Sequence, residues 1–451
     1  MNKSINYAIM TLFSALLVSC GGGGSGGSSN NSSNTGQSSD NNSSSSNAES
    51  IAVLGSKTGL IYSSSIKVQT SSGIAHSTGI IPFDINGDNI TDIILMPSNN
   101  YKSPELNALS IVNNNDGAVV LQSVTGSTYT SGWVKDWAIE DLNGDKKSDI
   151  AWVDHGLEIP NDFQYGYNAS LLSSANGFIY SKISTERKFN HGLAIKYNTT
   201  NSSADLIVAD FNDWLKYYSN NGSGKFTESQ LPLNGAFNYA NPGAVANVRM
   251  KDGSTRIVAA SYKRPNPQWD SRGFFITYEL KNNTLIQKSI HEYNEIWKNK
   301  NIGAFAIVPF DANGSGYDDL IILGEGEVRS VVYYKQTDTG FIDATAEQLG
   351  SVVDKITIPD KIIAFDANSD GLNDIFGFSY KNDLYTSGSG LFINQGGGVL
   401  KSAPIGISDL ADTLQVPIFT TYSDGKWKKF IGLYGLKLIS TQSITVKAWI
   451  K

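Results

Sequence analysis

The chain has 451 residues and a formal net charge of −7 at pH 7. An acidic chain without a basic run is a poor ligand for nucleic acid or for anionic lipid, so neither is expected as its main partner. Its single cysteine, Cys20, excludes an intramolecular disulfide framework.

The first twenty residues predict export. Lys3 supplies a positive start, and the mostly apolar stretch 5–18 is shorter than the ~20 residues that a membrane-spanning helix needs. The stretch ends in LVSC at 17–20, which resembles the lipobox of bacterial lipoproteins. The resemblance implies that residues 1–19 are a signal peptide and that lipidated Cys20 begins the mature chain. The alternative is an ordinary signal peptide, or an anchor helix, with an incidental cysteine.

Residues 20–50 predict a lipidated cysteine followed by a flexible tether. The segment is almost entirely Gly, Ser and Asn, and it buries nothing that would offset the entropy of ordering it. Random-coil scaling gives it a span of roughly 30 Å. Gly21, where some lipoproteins carry Asp, resembles lipoproteins sent to the outer membrane. The expected location is therefore the bacterial outer membrane, periplasmic or surface-exposed, with membrane contact only through the lipid.

The remaining part of the chain, 51–451, contains an internal repeat. Four segments share one nine-residue pattern: DINGDNITD at 84–92, DLNGDKKSD at 141–149, DANGSGYDD at 311–319 and DANSDGLND at 366–374. Each lies between two short apolar stretches, and neighbouring copies start 57 residues apart (84 to 141) or 55 residues apart (311 to 366). Weaker copies start at 197, 248 and 420, so that seven copies account for the whole domain.

Tight turns between these copies predict a second hairpin in each period. Examples are LLSSANGFIY and LFINQGGGVL, whose Asn/Gly turns suit β-hairpins. Two hairpins make four strands, the content of one β-propeller blade. The predicted fold class is therefore all-β, a seven-bladed β-propeller. The N-terminal IAVLGSKTGLIY has no loop copy before it and is expected to join the last blade, to which the C-terminal LKLISTQSITVKAWI also offers strands.

The spacing within the nine-residue loops predicts calcium. Oxygen-bearing side chains stand at positions 1, 3, 5 and 9, and position 7 can offer its backbone carbonyl. Such hard oxygen ligands suit calcium rather than zinc. An EF-hand begins similarly, but it needs a Glu at position 12 and flanking helices. Position 12 is instead Leu95, Trp152, Ile322 and Gly377. An Asx-rich turn without metal is the remaining alternative.

The loops resemble FG-GAP or VCBS-type repeats, the family that forms the ligand-binding propeller of integrin α-subunits and of many bacterial surface proteins. The resemblance covers 51–451, strongly in four copies and weakly in three, and it implies about three or four calcium ions. The implied ligands are Asp84, Asn86, Asp88, Asp92 and the Ile90 carbonyl; Asp141, Asn143, Asp145, Asp149 and the Lys147 carbonyl; Asp311, Asn313, Ser315, Asp319 and the Tyr317 carbonyl; and Asp366, Asn368, Asp370, Asp374 and the Leu372 carbonyl. Ser315 replaces a carboxylate, so we expect the 311–319 loop to bind most weakly of the four. The three weak copies lack the acidic ligands, which puts metal there in doubt.

The sequence favours binding over catalysis. No G-x-S-x-G, HExxH or phosphate-binding loop occurs, and the histidines share no motif: His76, His155, His191 and His291. The expected function is an adhesion or envelope-interaction module for a protein or a glycan. A polysaccharide lyase on the same scaffold is a second hypothesis, with Lys263, Arg264 and Arg272 as candidate basic residues. A scaffold subunit of an outer-membrane assembly is a third.

Aromatic residues mark the candidate ligand-binding positions. Trp269 lies in YKRPNPQWDSR at 262–272, which is expected to be a long inter-strand loop, and Trp214 and Tyr218 lie in the preceding repeat. Exposed aromatic rings on propeller loops suit sugar rings or a protein hot spot. The alternative is that these side chains pack between blades.

Overall fold

The computed structural model describes part of the chain. The described residues are 61–69, 77–83, 92–97, 110–115, 118–123, 134–159, 162–164, 166–175, 177–186, 188–197, 203–211, 215–234, 241–262, 273–326, 328–350, 353, 361–365, 370–378, 390–403, 418–423, 427–433 and 443–450. Side chains are described only within 134–401. The predicted signal peptide, Cys20 and the tether of residues 20–50 lie outside these ranges.

The described chain is all-β, with two short helices. The strands are β1 Ile61–Gln69, β2 Ser77–Phe83, β3 Asp92–Pro97, β4 Ser110–Asn115, β5 Ala118–Ser123, β6 Val134–Glu140, β7 Asp149–Asp154, β8 Leu157–Ile159, β9 Asp162–Gln164, β10 Ala169–Ser174, β11 Gly177–Lys182, β12 Asn190–Tyr197, β13 Ala204–Asp210, β14 Leu215–Asn220, β15 Phe226–Gln230, β16 Leu233–Asn234, β17 Pro242–Arg249, β18 Thr255–Ser261, β19 Phe274–Lys281, β20 Thr284–Glu292, β21 Gly303–Phe310, β22 Asp319–Glu325, β23 Ser330–Thr337, β24 Gly340–Asp343, β25 Lys361–Phe365, β26 Asp374–Phe378, β27 Gly390–Asn394, β28 Leu400–Ala403, β29 Ile418–Ser423, β30 Trp427–Leu433 and β31 Ser443–Ile450. The helices are α1 Glu295–Asn299 and α2 Thr345–Gln348.

These strands form seven sheets of four or five strands each, and a separate hairpin of β8 and β9. The first sheet is β2–β5; the second is β6, β7, β10 and β11; the third is β12–β15; the fourth is β16–β20; the fifth is β21–β24; the sixth is β25–β28; and the seventh is β29, β30, β31 and β1. Neighbouring strands pair antiparallel, except that β16 pairs with β20 in parallel. Apart from β16 and β1, each of which lies at one edge of its sheet, consecutive strands of a sheet are therefore neighbours, as the two-hairpin pattern predicts.

The seven loop copies of the sequence all fall at one place in the sheets. Each lies at the connection between the first and second strand, for instance 141–149 between β6 and β7 and 311–319 between β21 and β22. The second hairpins are also confirmed: LLSSANGFIY forms β10 and β11, and LFINQGGGVL forms β27 and β28. Because every loop copy follows a first strand, the loops of neighbouring sheets leave from the same end.

The core lies between neighbouring sheets. The second strands β7 and β13 are buried along their whole length, as their short continuous apolar runs predict. The outer strand β11 alternates between exposed and half-buried residues instead. One buried cluster joins Val208 and Tyr218 of the third sheet to Val153 of the second. Similar clusters join the third sheet to the fourth, the fourth to the fifth and the fifth to the sixth. The second to sixth sheets thus pack face to face in sequence order, which is a propeller-like arrangement.

Strand β1 completes the seventh sheet. It pairs antiparallel with β31 from Ile61 opposite Ile450 to Gln69 opposite Ser443. The N-terminal part of the domain therefore joins the last sheet as expected, although only Ile61 and Tyr62 of the predicted segment 51–62 lie in β1. Residues 51–60 of the predicted N-terminal hairpin lie outside the described ranges.

The first strands of the third, fourth and fifth sheets approach one another closely. A Cβ atom built on Gly243 in β17 would lie 1.7 Å from the Ala304 carbonyl oxygen in β21, and one on Gly192 in β12 would lie 2.6 Å from the Val245 amide nitrogen. Only glycine leaves room for such backbone contacts. Among the described helices, none is long and apolar enough to cross a bilayer.

Candidate metal-binding loops and the opposite end of the sheets

The 141–149 loop is a turn held by its own acidic side chains. Asp141 accepts hydrogen bonds from the Gly144 and Lys146 amides, at 2.7 and 2.9 Å. Asp145 accepts one from the Lys147 amide at 2.8 Å. Gly144 and Lys146 have φ values of 80° and 66°, a left-handed conformation that Gly adopts without strain. This is the geometry of an Asx-rich turn.

Asp149, at position 9, is buried and ties the loop to the second hairpin of its sheet. Its Oδ1 accepts from the Ser173 amide and hydroxyl at 2.6 and 2.8 Å, and its Oδ2 accepts from the Leu142 amide at 2.8 Å. The Ser173 hydroxyl also lies 2.9 Å from Asp145 Oδ2, so that one hydroxyl proton stands between two carboxylates. Burial raises the pKa of Asp149, and the negative charge of Asp145 raises it further.

The donor chemistry of this loop fits calcium, although its carboxylates do not converge on one point. Among the described residues, no basic side chain pairs with Asp141, Asp145 or Asp149. Within the same residues, no three His, Cys, Asp or Glu side chains converge as a metal site. The reason is visible in the loop, where the carboxylates face backbone amides.

The 311–319 loop has the same backbone conformation. Asp311 accepts from the Ser315 and Gly316 amides at 2.9 and 2.8 Å, and Gly314 and Gly316 have φ values of 66° and 85°. The residue at position 9, Asp319, is again buried, and it accepts from the backbone N–H of Gln336 at 2.7 Å. The two loops are therefore equivalent turns, as their shared pattern predicts.

The other two predicted loops are described only in part. In 366–374, Asp370 accepts from the backbone N–H of Leu372 at 2.9 Å, and buried Asp374 accepts from the backbone N–H of Asn394 at 2.8 Å. Asp366 and Asn368 lie outside the described residues. In 84–92 only the backbone of Asp92, the first residue of β3, is described. The remaining predicted ligands of this loop lie outside as well: Asp84, Asn86, Asp88 and Ile90.

A set of amide side chains that the sequence analysis missed links successive sheets. Asn220 donates to the Leu142 carbonyl at 2.7 Å, Asn394 to the Ala312 carbonyl at 2.7 Å and Gln336 to the Arg249 carbonyl at 3.1 Å. Each acceptor is position 2 of the loop copy in the preceding sheet. The amide residue also donates its backbone N–H to the position-9 carboxylate of its own sheet. The sequence signal is an Asn or Gln at the end of the third strand of the third, fifth and sixth sheets, in YSNN, YKQ and FINQ.

The expected aromatic platform is wrong at Tyr218. The side chain is fully buried, and its hydroxyl donates to Glu228 at 3.2 Å. It faces the second sheet because alternate residues of β14 point toward that neighbour, where they join its apolar cluster. Trp214 and Trp269 lie outside the described residues, as do Lys263, Arg264 and Arg272.

Aromatic rings cluster at the end of the sheets opposite the Asp-rich loops. His155 follows β7, and its ring centroid lies 3.6 Å from that of Phe189 and 4.7 Å from that of His191. Phe211, which follows β13, lies 5.1 Å from Tyr262, which follows β18. Burial lowers the pKa of His155 well below its usual range, and the charge of Lys135 adds to this. The structure thus brings together two histidines that the sequence shows as scattered.

Comparison with protein-family models and with curated proteins finds no match. Two similar solved structures are crystal structures of BBS1N in complex with ARL6DN, one soaked with lead and the other with mercury. The first is 9% identical, covers 87% of this chain and 97% of that chain, and has a TM-score of 0.49. The second is 10% identical, covers 86% and 97%, and has a TM-score of 0.46. Identities this low concern the fold alone, and the arrangement of sheets given above rests on the strand pairing of this chain.

Proposed function

We propose that this chain is a calcium-stabilised, seven-bladed β-propeller that is anchored to the outer membrane by a lipid on Cys20 and binds a protein or a glycan. The seven sheets, the face-to-face packing of the second to sixth sheets and the pairing of β1 with β31 support a closed ring. The LVSC segment and the Gly/Ser/Asn-rich segment support the anchor and tether. A ring of rigid blades carries its variable loops at the two ends, which suits recognition.

Binding rather than catalysis is supported by the way the titratable side chains are used. His155 and His191 are buried among aromatic rings, which suits packing more than proton transfer to a substrate. The loop carboxylates hold their own turns and, at position 9, the neighbouring hairpin. These roles are structural, and they support a scaffold whose ligand contacts come from its loops.

The contact of Asp145 and Asp149 through Ser173 is the observation that supports calcium most directly. Two carboxylates share one hydroxyl, and no described basic side chain forms an ion pair with either of them. Asp141, Asn143, Asp145, Asp149 and the Lys147 carbonyl would hold the ion. Calcium would supply positive charge to the crowded loop, and through Asp149 it would join the two hairpins of the second sheet.

Thermal unfolding with calcium and with excess chelator tests this part of the proposal. Extracellular calcium modules bind at about 10⁻⁴ to 10⁻³ M, so 10 mM calcium would add roughly 1.4 to 2.7 kcal/mol per site. The melting temperature should therefore rise with calcium, and about three or four ions should be bound per chain. An unchanged melting temperature together with no bound metal would reduce the Asp-rich loops to turns.

The opposite end of the sheets is the proposed ligand surface. Trp214 lies in the connection from β13 to β14, and Trp269 lies in the connection from β18 to β19. The described residues that precede these connections, Phe211 and Tyr262, are neighbours, with ring centroids 5.1 Å apart. Two tryptophans on neighbouring loops would suit a sugar ring or a protein side chain.

Screening glycans and outer-membrane proteins against the full chain, in calcium, tests the surface. Trp214→Ala and Trp269→Ala should each weaken binding of a hit by at least about tenfold, as hot-spot truncations do. Tyr197→Ala is the matched control, because Tyr197 is an aromatic residue with 68% exposure at the Asp-loop end of the third sheet. Equal loss in the control, or no loss in either tryptophan variant, would place the ligand elsewhere.

A further inference from the structure

We propose that the 311–319 loop is neutralised by the chain's own Arg249 and takes no calcium, so that it differs from the 141–149 loop despite their shared pattern and shared turn. The inference rests on the proposed calcium function of 141–149. Its starting point is the weak copy at 197–205, which lacks acidic residues at positions 1, 3 and 5 and retains only Asp205 at position 9.

In the weak copy, a lysine stands beside the position-9 carboxylate. Lys196 Nζ lies 2.8 Å from Asp205 Oδ2 and 2.7 Å from the Tyr217 hydroxyl, and that hydroxyl donates to the same carboxylate oxygen. The backbone N–H of Asn220 donates to Asp205 Oδ1 at 2.7 Å. Both oxygens of the buried Asp205 carboxylate thus accept hydrogen bonds from other residues, and the Lys196 ammonium supplies the positive charge.

The 311–319 loop repeats the tyrosine of this arrangement. Tyr333 pairs with Ile321, two residues after Asp319, just as Tyr217 pairs with Ile207, two residues after Asp205. The Tyr333 hydroxyl donates to Asp319 Oδ2 at 2.5 Å, and the backbone N–H of Gln336 donates to Asp319 Oδ1. Asp319 therefore accepts from a tyrosine hydroxyl and a backbone amide, as Asp205 of the weak copy does.

The positive charge at 311–319 comes from the preceding sheet. Arg249, at the end of β17, lies 2.6 Å from Asp318 Oδ1 and 3.7 Å from Asp311 Oδ2, measured from its Nη2 atom. Its backbone amide also donates to Asp318 at 2.8 Å, which fixes the strand end against the loop. A divalent cation bound by Asp311 would face this guanidinium and be repelled by it. Ser315 offers only a hydroxyl where the 141–149 loop has the Asp145 carboxylate.

The 141–149 loop lacks both features. Its residue at the register of Tyr217 and Tyr333 is Ser170, opposite Ala151. The buried Ser170 hydroxyl has no hydrogen-bond partner among the described residues, and no described basic side chain pairs with the loop carboxylates. Position 8 is Ser148, where the other loop has Asp318. The two loops therefore share a turn but differ in how their charge is balanced.

Counting bound calcium in matched variants of the full chain tests the inference. Asp141→Asn and Asp311→Asn make the same isosteric change at position 1 of the two loops, and equilibrium dialysis against calcium gives the number of ions per chain. We expect Asp141→Asn to lose one ion relative to the unaltered chain and Asp311→Asn to lose none. Loss of one ion in Asp311→Asn would overturn the inference.

A second measurement, in excess chelator, separates this inference from the calcium proposal. Arg249→Gln should lower the melting temperature with chelator present, because Asp318 and Asp311 lose their positive partner in a metal-free protein. Lys251→Gln is the control, since its ion pair with Asp338 is exposed on both sides. If the unaltered chain binds no calcium, the calcium proposal fails, and a larger loss in Arg249→Gln than in the control still supports the role of Arg249. Equal effects in the two variants would overturn it.

Discussion

Replacing Asn220 with alanine should weaken the junction between the second and third sheets. The side-chain amide of Asn220 donates to the Leu142 carbonyl of the second sheet at 2.7 Å and to the Ala204 carbonyl of its own sheet at 3.1 Å. Its Oδ1 accepts from the Gly222 and Gly224 amides at 3.0 and 3.2 Å. The side chain is buried, so water does not replace these partners in the variant.

The expected loss follows from these four bonds. A buried hydrogen bond contributes about 1 kcal/mol net, and an orphaned buried carbonyl costs about 1 to 3 kcal/mol. Allowing for partial relaxation of the hairpin, Asn220→Ala should lower the free energy of unfolding by about 3 kcal/mol. Asn221 is the matched control, because it is the same residue type in the same hairpin but is exposed. Its Oδ1 accepts from the Ser223 and Lys225 amides, and its removal should cost less than about 1 kcal/mol because water can replace it.

Equilibrium unfolding in urea, followed by tryptophan fluorescence in a fixed calcium concentration, measures both changes. The midpoint of Asn220→Ala should lie clearly below that of Asn221→Ala, while both variants keep the far-ultraviolet circular dichroism of the unaltered chain. Equal midpoints would mean that the link from Asn220 to Leu142 does not stabilise the junction.

Two further predictions concern acid and close packing. Stability in chelator should fall as the pH drops below about 6.5, because His155 takes up a proton in the unfolded chain there while burial lowers its pKa well below that value in the folded chain. The slope should approach about 1.4 kcal/mol per pH unit for this histidine and should decrease in His155→Gln; an unchanged slope would contradict it. Gly243→Ala should cost at least about 3 kcal/mol, since the added methyl meets the Ala304 carbonyl at 1.7 Å. A melting temperature equal to that of the unaltered chain would show that β17 and β21 are less close than the structure has them.

The strand–loop–strand units could be predicted from the sequence because their causes are local. A short apolar stretch, an Asx-rich turn and a second apolar stretch lie within about twenty residues, and all seven such units fall at equivalent connections. The joining of β1 to the last sheet could also be predicted, because an unmatched hairpin at one chain end leaves a strand without a partner.

The errors and omissions involve contacts between sheets. Whether Tyr218 faces solvent or the second sheet depends on how the third sheet packs against its neighbour. The alternation of residues along β14 does not predict that packing. Asn220 and Leu142 are 78 positions apart, and Arg249 and Asp318 are 69 apart. The pattern at 311–319 matches the calcium-loop spacing, while the guanidinium beside it belongs to another repeat. Sequence reasoning therefore located the loops but missed the partners supplied by neighbouring sheets.

The pairing of β1 with β31 also determines when this protein can finish folding. Strand β1 finds its partner only at Ser443–Ile450, so this sheet closes only after the residues between the two strands have been synthesised. Six sheets can form earlier from strands close together in sequence, whereas this one must wait for a contact of very large sequence separation, which slows folding. Until that moment β1 lacks its partner β31 and is able to pair with other chains. Copies that fold at high concentration would therefore risk exchanging this strand, and early pairing of β1 with β31 would protect against it.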